Sequence, residues 1–230
     1  MENIKTLNYI NGDKYTGNSI NNKKEGNGTY TYKNGNIYKG EFHNDQMEGK
    51  GIFYFNNPPF KGDRYEGDFE EGQSNGNGIY YYYNNDKYIG EWKKDKKEGK
   101  GIYYYKNGTK YDGYWKNGQK EGKGKMIYND GNKYEGDFKN DYFEGKGIYF
   151  FKDGDKYEGG FKKDLKDGKG VYYYKNGDKF EGIWVKDIKE GKGIYYYKNG
   201  DKVVGFYKKG YPTGVHIIYK EDGTKSKINY

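Results

Sequence analysis

The 230-residue chain carries 42 Lys and Arg against 34 Asp and Glu, a net charge of +8, and only 32% of its residues are hydrophobic. A mean hydropathy of −1.38 would ordinarily indicate disorder, yet 20% of the residues are aromatic and 32 are Tyr, which disordered chains lack. Cys is absent, which excludes disulfides and thiolate metal sites and favours a reducing, cytoplasmic setting. No run approaches the roughly 18 apolar residues of a membrane span.

In chain order, Leu7, Tyr9 and Ile10 precede the turn Asn11-Gly12-Asp13 and read as the second half of a unit. Residues 1–14 are therefore expected to form an N-terminal half-repeat cap. A unit of the form Tyr-x-Gly-x-aromatic, polar run, Gly-x-Gly, aromatic run and Gly turn then begins at Tyr15. It recurs at Tyr38, Tyr65, Tyr88, Tyr111, Tyr134, Tyr157 and Phe180. Such a period decides the architecture before anything else does. The first unit has Ser19 where the others have a ring. Between Tyr38 and Tyr65 the step lengthens, and the extra residues fall in Asn56-Asn57-Pro58-Pro59-Phe60. Pro cannot donate in a strand ladder, so residues 56–60 are expected to bulge as a loop without breaking the array. Residues 15–202 thus hold repeats one to eight. Residues 203–230 hold a ninth that decays at Val203 and His216, and a C-terminal cap whose tail is expected to form a last strand.

Alternation puts Tyr111, Gly113 and Trp115 on one face of a strand, and Gly99, Gly101, Tyr103 and Tyr105 on the same face of the strand before it. Reading Lys106-Asn107-Gly108 as a three-residue hairpin loop pairs Tyr103 with Tyr111, Gly101 with Gly113 and Gly99 with Trp115. Every ring then lies over bare glycine backbone. The opposite face carries Ile102, Tyr104, Lys110 and Asp112, a mixed and wettable set.

Tyr-x-Gly-x-Trp followed by Gly-x-Gly, repeated eight times in register and once more in degenerate form, resembles the MORN repeat (membrane occupation and recognition nexus). The resemblance covers nearly the whole chain and departs at Ser19, Val203 and His216. It implies an all-β fold, an elongated single-layer antiparallel meander of stacked β-hairpins with a groove along one face. It also implies a scaffold or adaptor, since MORN arrays recruit partners at cytoskeletal and membrane structures. Similar arrays precede phosphatidylinositol-phosphate kinase and SET methyltransferase domains, so a regulatory partner of a lipid kinase is an alternative.

Catalysis is not expected. His43 and His216 lie far apart in the array, Ser is confined to Ser19, Ser74 and Ser226, and no nucleophile and base come together. No P-loop spacing occurs, Asp153-Gly154-Asp155 is a turn signal, and neither metal nor cofactor is expected. Glu98, Glu121, Glu144 and Glu190 recur once per repeat and read as a ladder pairing with Lys. The expected partner is a protein or peptide held along an aromatic groove by Tyr88, Trp92, Tyr111, Trp115, Tyr134, Phe138, Tyr157, Phe161 and Trp184. Lysine-rich loops at Lys93, Lys94, Lys96, Lys97, Lys162, Lys163 and Lys166 suggest contact with an acidic phospholipid membrane as an alternative. Nucleic acid is not expected, because the rings are committed to stacking within the chain. The open edge at the degenerate C-terminal repeat suggests a homodimer.

Overall fold

The computed structural model describes residues 4–230, and every regular element among them is a β-strand. The chain divides after Gln119 into two units. The first holds β1 (Ile4–Asn8), β2 (Lys14–Ile20), β3 (Lys23–Thr31), β4 (Ile37–His43), β5 (Gln46–Tyr54), β6 (Arg64–Glu70), β7 (Gln73–Tyr81), β8 (Lys87–Lys93), β9 (Lys96–Tyr104) and β10 (Lys110–Lys116). The second begins with β11 (Gln119–Ile127) and continues with β12 (Lys133–Lys139), β13 (Tyr142–Phe150), β14 (Lys156–Lys162), β15 (Leu165–Tyr173), β16 (Lys179–Val185), β17 (Ile188–Tyr196), β18 (Lys202–Lys208), β19 (Tyr211–Tyr219) and β20 (Lys225–Asn229). Within each unit every strand pairs antiparallel with its neighbours in sequence, so each is an all-β, single-layer meander of hairpins.

Two alternating turns build it. The Lys106-Asn107-Gly108 loop closes as expected: the Gly108 amide donates to the Tyr105 carbonyl at 2.9 Å, the Tyr105 amide to Thr109 at 2.9 Å, and Gly108 has φ +89°. The pairs Tyr103–Tyr111, Gly101–Gly113 and Gly99–Trp115 follow. At the other end the expected lysine-rich loops are instead two-residue turns. Lys94 and Asp95 both have positive φ, 49° and 63°, and so do Lys163 and Asp164, at 50° and 68°. This backbone matches the twist of the flanking strands, but Lys disfavours it. The preceding repeat supplies the compensation. Asp95 Oδ1 accepts the Ser74 amide at 2.8 Å while the Asp95 amide donates to the Ser74 carbonyl at 3.1 Å. Asp164 clamps Phe143 in the same manner.

The recurring glutamates have a related task. Glu98, Glu121, Glu144 and Glu190 accept the backbone amides of Asn117, Asn140, Lys163 and Lys209, the first residue of the next turn, at 2.9–3.2 Å. They cap turn amides instead of pairing with lysines as the sequence suggested, because an unpaired amide costs more than an exposed ion pair returns.

The two glycines of each Gly-x-Gly differ as well. Gly99 adopts φ +61°, a conformation that glycine enters without steric cost. Gly101 instead lies beneath the Tyr88 ring, where an added Cβ would sit 2.5 Å from Cε2. Tyr88 is fully buried and meets Trp92 and Trp115 edge-on, at 5.3 and 5.2 Å between ring centroids, the geometry ring quadrupoles favour. Tyr134 meets Phe138 and Phe161 in the same way in the second unit.

The end repeats keep their hairpins despite their altered residues. β2 pairs with β3, and Ser19 is buried with its hydroxyl unpartnered. In the ninth repeat, β18 and β19, the ring comes from the other strand. Val203 stands where Tyr or Phe stands elsewhere, and the His216 ring covers Gly205 in its place. Its Nε2 lies 2.9 Å from the Phe206 carbonyl, three residues beyond Val203, just as Tyr88 Oη donates to the carbonyl of Glu91 at 3.1 Å. β20 follows as the last strand, and residues 56–60 bulge between β5 and β6 without disturbing their register.

Candidate partner-binding face

The glycine-bearing face carries three rows of rings. Tyr88, Tyr111, Tyr134 and Tyr157 are fully buried, and Trp92, Trp115, Phe138, Phe161 and Trp184 are 2–7% exposed. These nine side chains, expected from sequence to meet a partner, are packing residues that present almost no surface. The third row is what solvent meets. In the first unit Tyr9, Tyr30, Tyr32, Phe53, Phe55, Tyr80, Tyr82, Tyr103 and Tyr105 are half-buried and each ring lies 4.5–5.8 Å from the next. The second unit has its own run, in which Tyr149, Phe151, Tyr172, Tyr174, Tyr195 and Tyr197 follow at 4.7–5.6 Å. The signal was present in the Tyr-x-Tyr alternation of each aromatic run, since residues i and i+2 of a strand share a face.

Aspartates anchor one tyrosine of most ring dyads in this ladder. Tyr30 Oη donates to Asp13 at 2.7 Å, Tyr80 to Asp63 at 2.6 Å and Tyr103 to Asp86 at 2.8 Å; Tyr172 and Tyr195 use Asp155 and Asp178. Burial first, and the carboxylate second, raises the pKa of each of these hydroxyls, so they remain protonated donors. The Lys33 amide holds Asp13 below the usual carboxylate range, and the Lys198 amide does the same for Asp178. A carboxylate with a depressed folded-state pKa stabilises above its unfolded pKa, and that contribution is lost as pH falls through the folded value. The urea midpoint is therefore expected to hold level down to about pH 4 and to fall below it. An Asp13→Asn/Asp178→Asn variant is expected to show a shallower acid limb, and an equally steep one would contradict these assignments.

Of the lysines considered for lipid contact, Lys93, Lys94, Lys96, Lys162 and Lys163 are exposed at hairpin ends. Lys97 and Lys166 are folded back onto rings. Lys97 Nζ lies 4.2 Å from the Trp115 ring and 5.0 Å from Tyr103; Lys166 Nζ lies 4.7 Å from Trp184 and 5.3 Å from Tyr172. Burial pushes the Lys166 pKa down.

The opposite face differs. Its rings are covered by cations, Arg64 at 4.2 Å over Tyr81 and Lys87 at 4.9 Å over Tyr104. This face also holds an open trough of about 590 Å³ lined by Ile52, Ile79 and Ile89 with Lys39, Lys50 and Glu66. The two histidines are engaged separately, His43 with Glu25 at 3.2 Å and His216 in the core. Among the described residues no three His, Asp or Glu side chains converge where they could share a metal ion.

A comparison with curated protein sequences finds no match. Among solved structures, the TCP10 domain of Danio rerio CPAP, solved with a peptide of STIL, is similar at 13% identity and a TM-score of 0.50, over 100% of this chain and 96% of that one. The Drosophila melanogaster SAS-4 TCP domain, solved with a proline-rich motif of Ana2, aligns at 15% identity and a TM-score of 0.31, over 99% and 90%. The MORN repeat matches at residues 15–37, 38–57, 65–87, 88–110, 111–133, 134–156, 157–179 and 180–202. With eight matches spanning most of its length, the glycine-and-ring architecture described above has its family: the chain belongs to the MORN-repeat proteins.

Proposed function

We propose that this protein is a non-enzymatic scaffold whose ring ladder holds an extended, proline-rich segment of another protein. The observation that carries the reading is the half-buried row Tyr30 to Tyr105, in which Tyr30, Tyr80 and Tyr103 are held by Asp13, Asp63 and Asp86. Ring dyads recur once per hairpin, and two strands span about 9.6 Å. A polyproline II helix advances about 9.3 Å in three residues. A segment running across the strands would therefore present the same residue type to each successive repeat. Rings held before binding reduce the ordering cost, and aromatic-lined grooves recognise polyproline conformations. The zebrafish domain that shares this fold was solved with a peptide bound, which supports the reading.

The test is fluorescence anisotropy of a labelled dodecapeptide with Pro at every third position. Phe53→Ala with Tyr82→Ala is expected to weaken binding at least tenfold, the scale of two lost aromatic contacts, with the far-UV spectrum unchanged. Binding that ignores both substitutions would refute the proposal.

A further inference from the structure

One position beside the ladder changes its residue type from repeat to repeat. In four repeats a lysine, Lys24, Lys97, Lys166 or Lys189, enters a cage of rings beside the ladder. Lys166 Nζ lies 4.7 Å from Trp184, 5.3 Å from Tyr172, 5.7 Å from Tyr157 and 6.0 Å from Phe151, and 3.8 Å from Asp187 Oδ1. Lys97 sits at 4.2 Å from Trp115, 5.0 Å from Tyr103 and 5.6 Å from Tyr88. Lys24 sits 5.1 Å from Tyr30 and 3.2 Å from Asp45 Oδ1. These contacts are cation–π interactions, reinforced by a carboxylate at Lys24 and Lys166.

The residue one repeat before Lys97 is Ser74. It is buried, and its Oγ donates to Asp95 Oδ1 at 2.7 Å. The rings that enclose Lys166 all have their counterparts here in Trp92, Tyr80, Tyr65 and Phe55, with Tyr80 stacked on Trp92 at 5.8 Å. The inserted loop adds a wall, since Phe60 turns back to lie 5.9 Å from Phe55. Together with Met47 and Asp95 these side chains line a cavity of about 410 Å³. Serine is too short to fill a space shaped in other repeats for a lysine stem and ammonium.

We infer that this cavity is a binding site for an alkylammonium group, the side chain of a lysine in the bound segment. The inference rests on the ladder's binding a peptide and adds a basic residue to what that peptide must contain. The cage supplies ring faces for the cation and Asp95 supplies the countercharge, the same combination that Lys24 and Lys166 find within the chain. In two other repeats the corresponding place is filled by an apolar side chain, Met47 or Phe143, so the deciding control is uncharged.

The experiment uses the full chain and its three indole N–H signals, from Trp92, Trp115 and Trp184. The Trp92 signal is assigned with Trp92→Phe. Nα-acetyl-lysine N-methylamide, titrated at constant ionic strength, is expected to shift the Trp92 signal saturably. Trp115 and Trp184 are expected to stay still, because Lys97 and Lys166 already cover them. The norleucine analogue is expected to bind at least tenfold more weakly. Ser74→Lys is expected to abolish the response while melting no lower than the parent, since lysine occupies this place in other repeats. Equal binding of the norleucine analogue, an undiminished response in folded Ser74→Lys, or a silent Trp92 would each overturn the site. A silent Trp92 in a protein that still binds the proline-rich peptide removes this cage and leaves the ladder. A responsive Trp92 in a protein that binds no such peptide removes the ladder and leaves a cage for free alkylammonium.

Discussion

Gly101→Ala is expected to destabilise the surrounding hairpins by about 3 kcal/mol, at the upper end of what overpacking costs. Its new Cβ would stand 2.5 Å from both Cε2 and Cζ of Tyr88. That ring cannot step aside, because it is fully buried between Trp92 and Trp115. In a repeat array each unit contacts only its neighbours, so the loss is local. Amide-exchange protection is expected to fall across β8, β9 and β10 and to persist in β2 and β3. Gly191→Asn is the contrast. Gly191 has φ +69° and nothing within 4 Å of an added Cβ, and Asn tolerates that backbone. Its expected effect is below about 1 kcal/mol. If the two substitutions cost the same, glycine serves conformation alone and the ring-on-backbone account fails.

The second large effect is a rescue. Gly101→His alone is expected to cost more than about 4 kcal/mol, placing a whole imidazole where Tyr88 lies. Tyr88→Val alone is expected to cost about 3 kcal/mol by leaving a cavity. The ninth repeat carries both changes at once, Val203 with His216, and stays folded with His216 almost fully buried. The Tyr88→Val/Gly101→His double variant is therefore expected to be less damaged than Gly101→His alone. A coupling of about 2 kcal/mol, measured by chemical denaturation of all four members of the cycle, falls within the range seen for residues in contact. Additive losses would mean that His216 fills its place for another reason.

The period, the hairpin register and the faces of Tyr103, Tyr111 and Trp115 followed from alternation alone, because a one-residue slip would have turned every ring to the wrong side. The two-residue turns did not, since Lys94-Asp95 and Lys163-Asp164 lack a turn signature of their own. Their stabilising partners, Ser74 and Phe143, stand a whole repeat away. The glutamates misled for the same reason, as Glu98 acts on Asn117 in the next turn and not on a neighbouring lysine. Within the candidate site, composition placed three ring rows on one face but could not tell which row covers the others. Trp92 and Trp115 had the larger rings and went to the interior, leaving Tyr80, Tyr82, Tyr103 and Tyr105 outermost. The folding back of Phe60 onto Phe55 was likewise invisible, because loop composition does not fix where a loop side chain lands.

Function turns on whether the half-buried ring row, and not the isoleucine trough behind it, receives the partner. Intermolecular nuclear Overhauser contacts with the proline-rich dodecapeptide test it most directly. The expected result is contacts from the proline Hδ protons to the ring protons of Tyr32, Phe53, Tyr82 and Tyr103, recurring with every third peptide residue. Contacts to the methyl groups of Ile52, Ile79 and Ile89 instead, or contacts with no threefold recurrence, would contradict it.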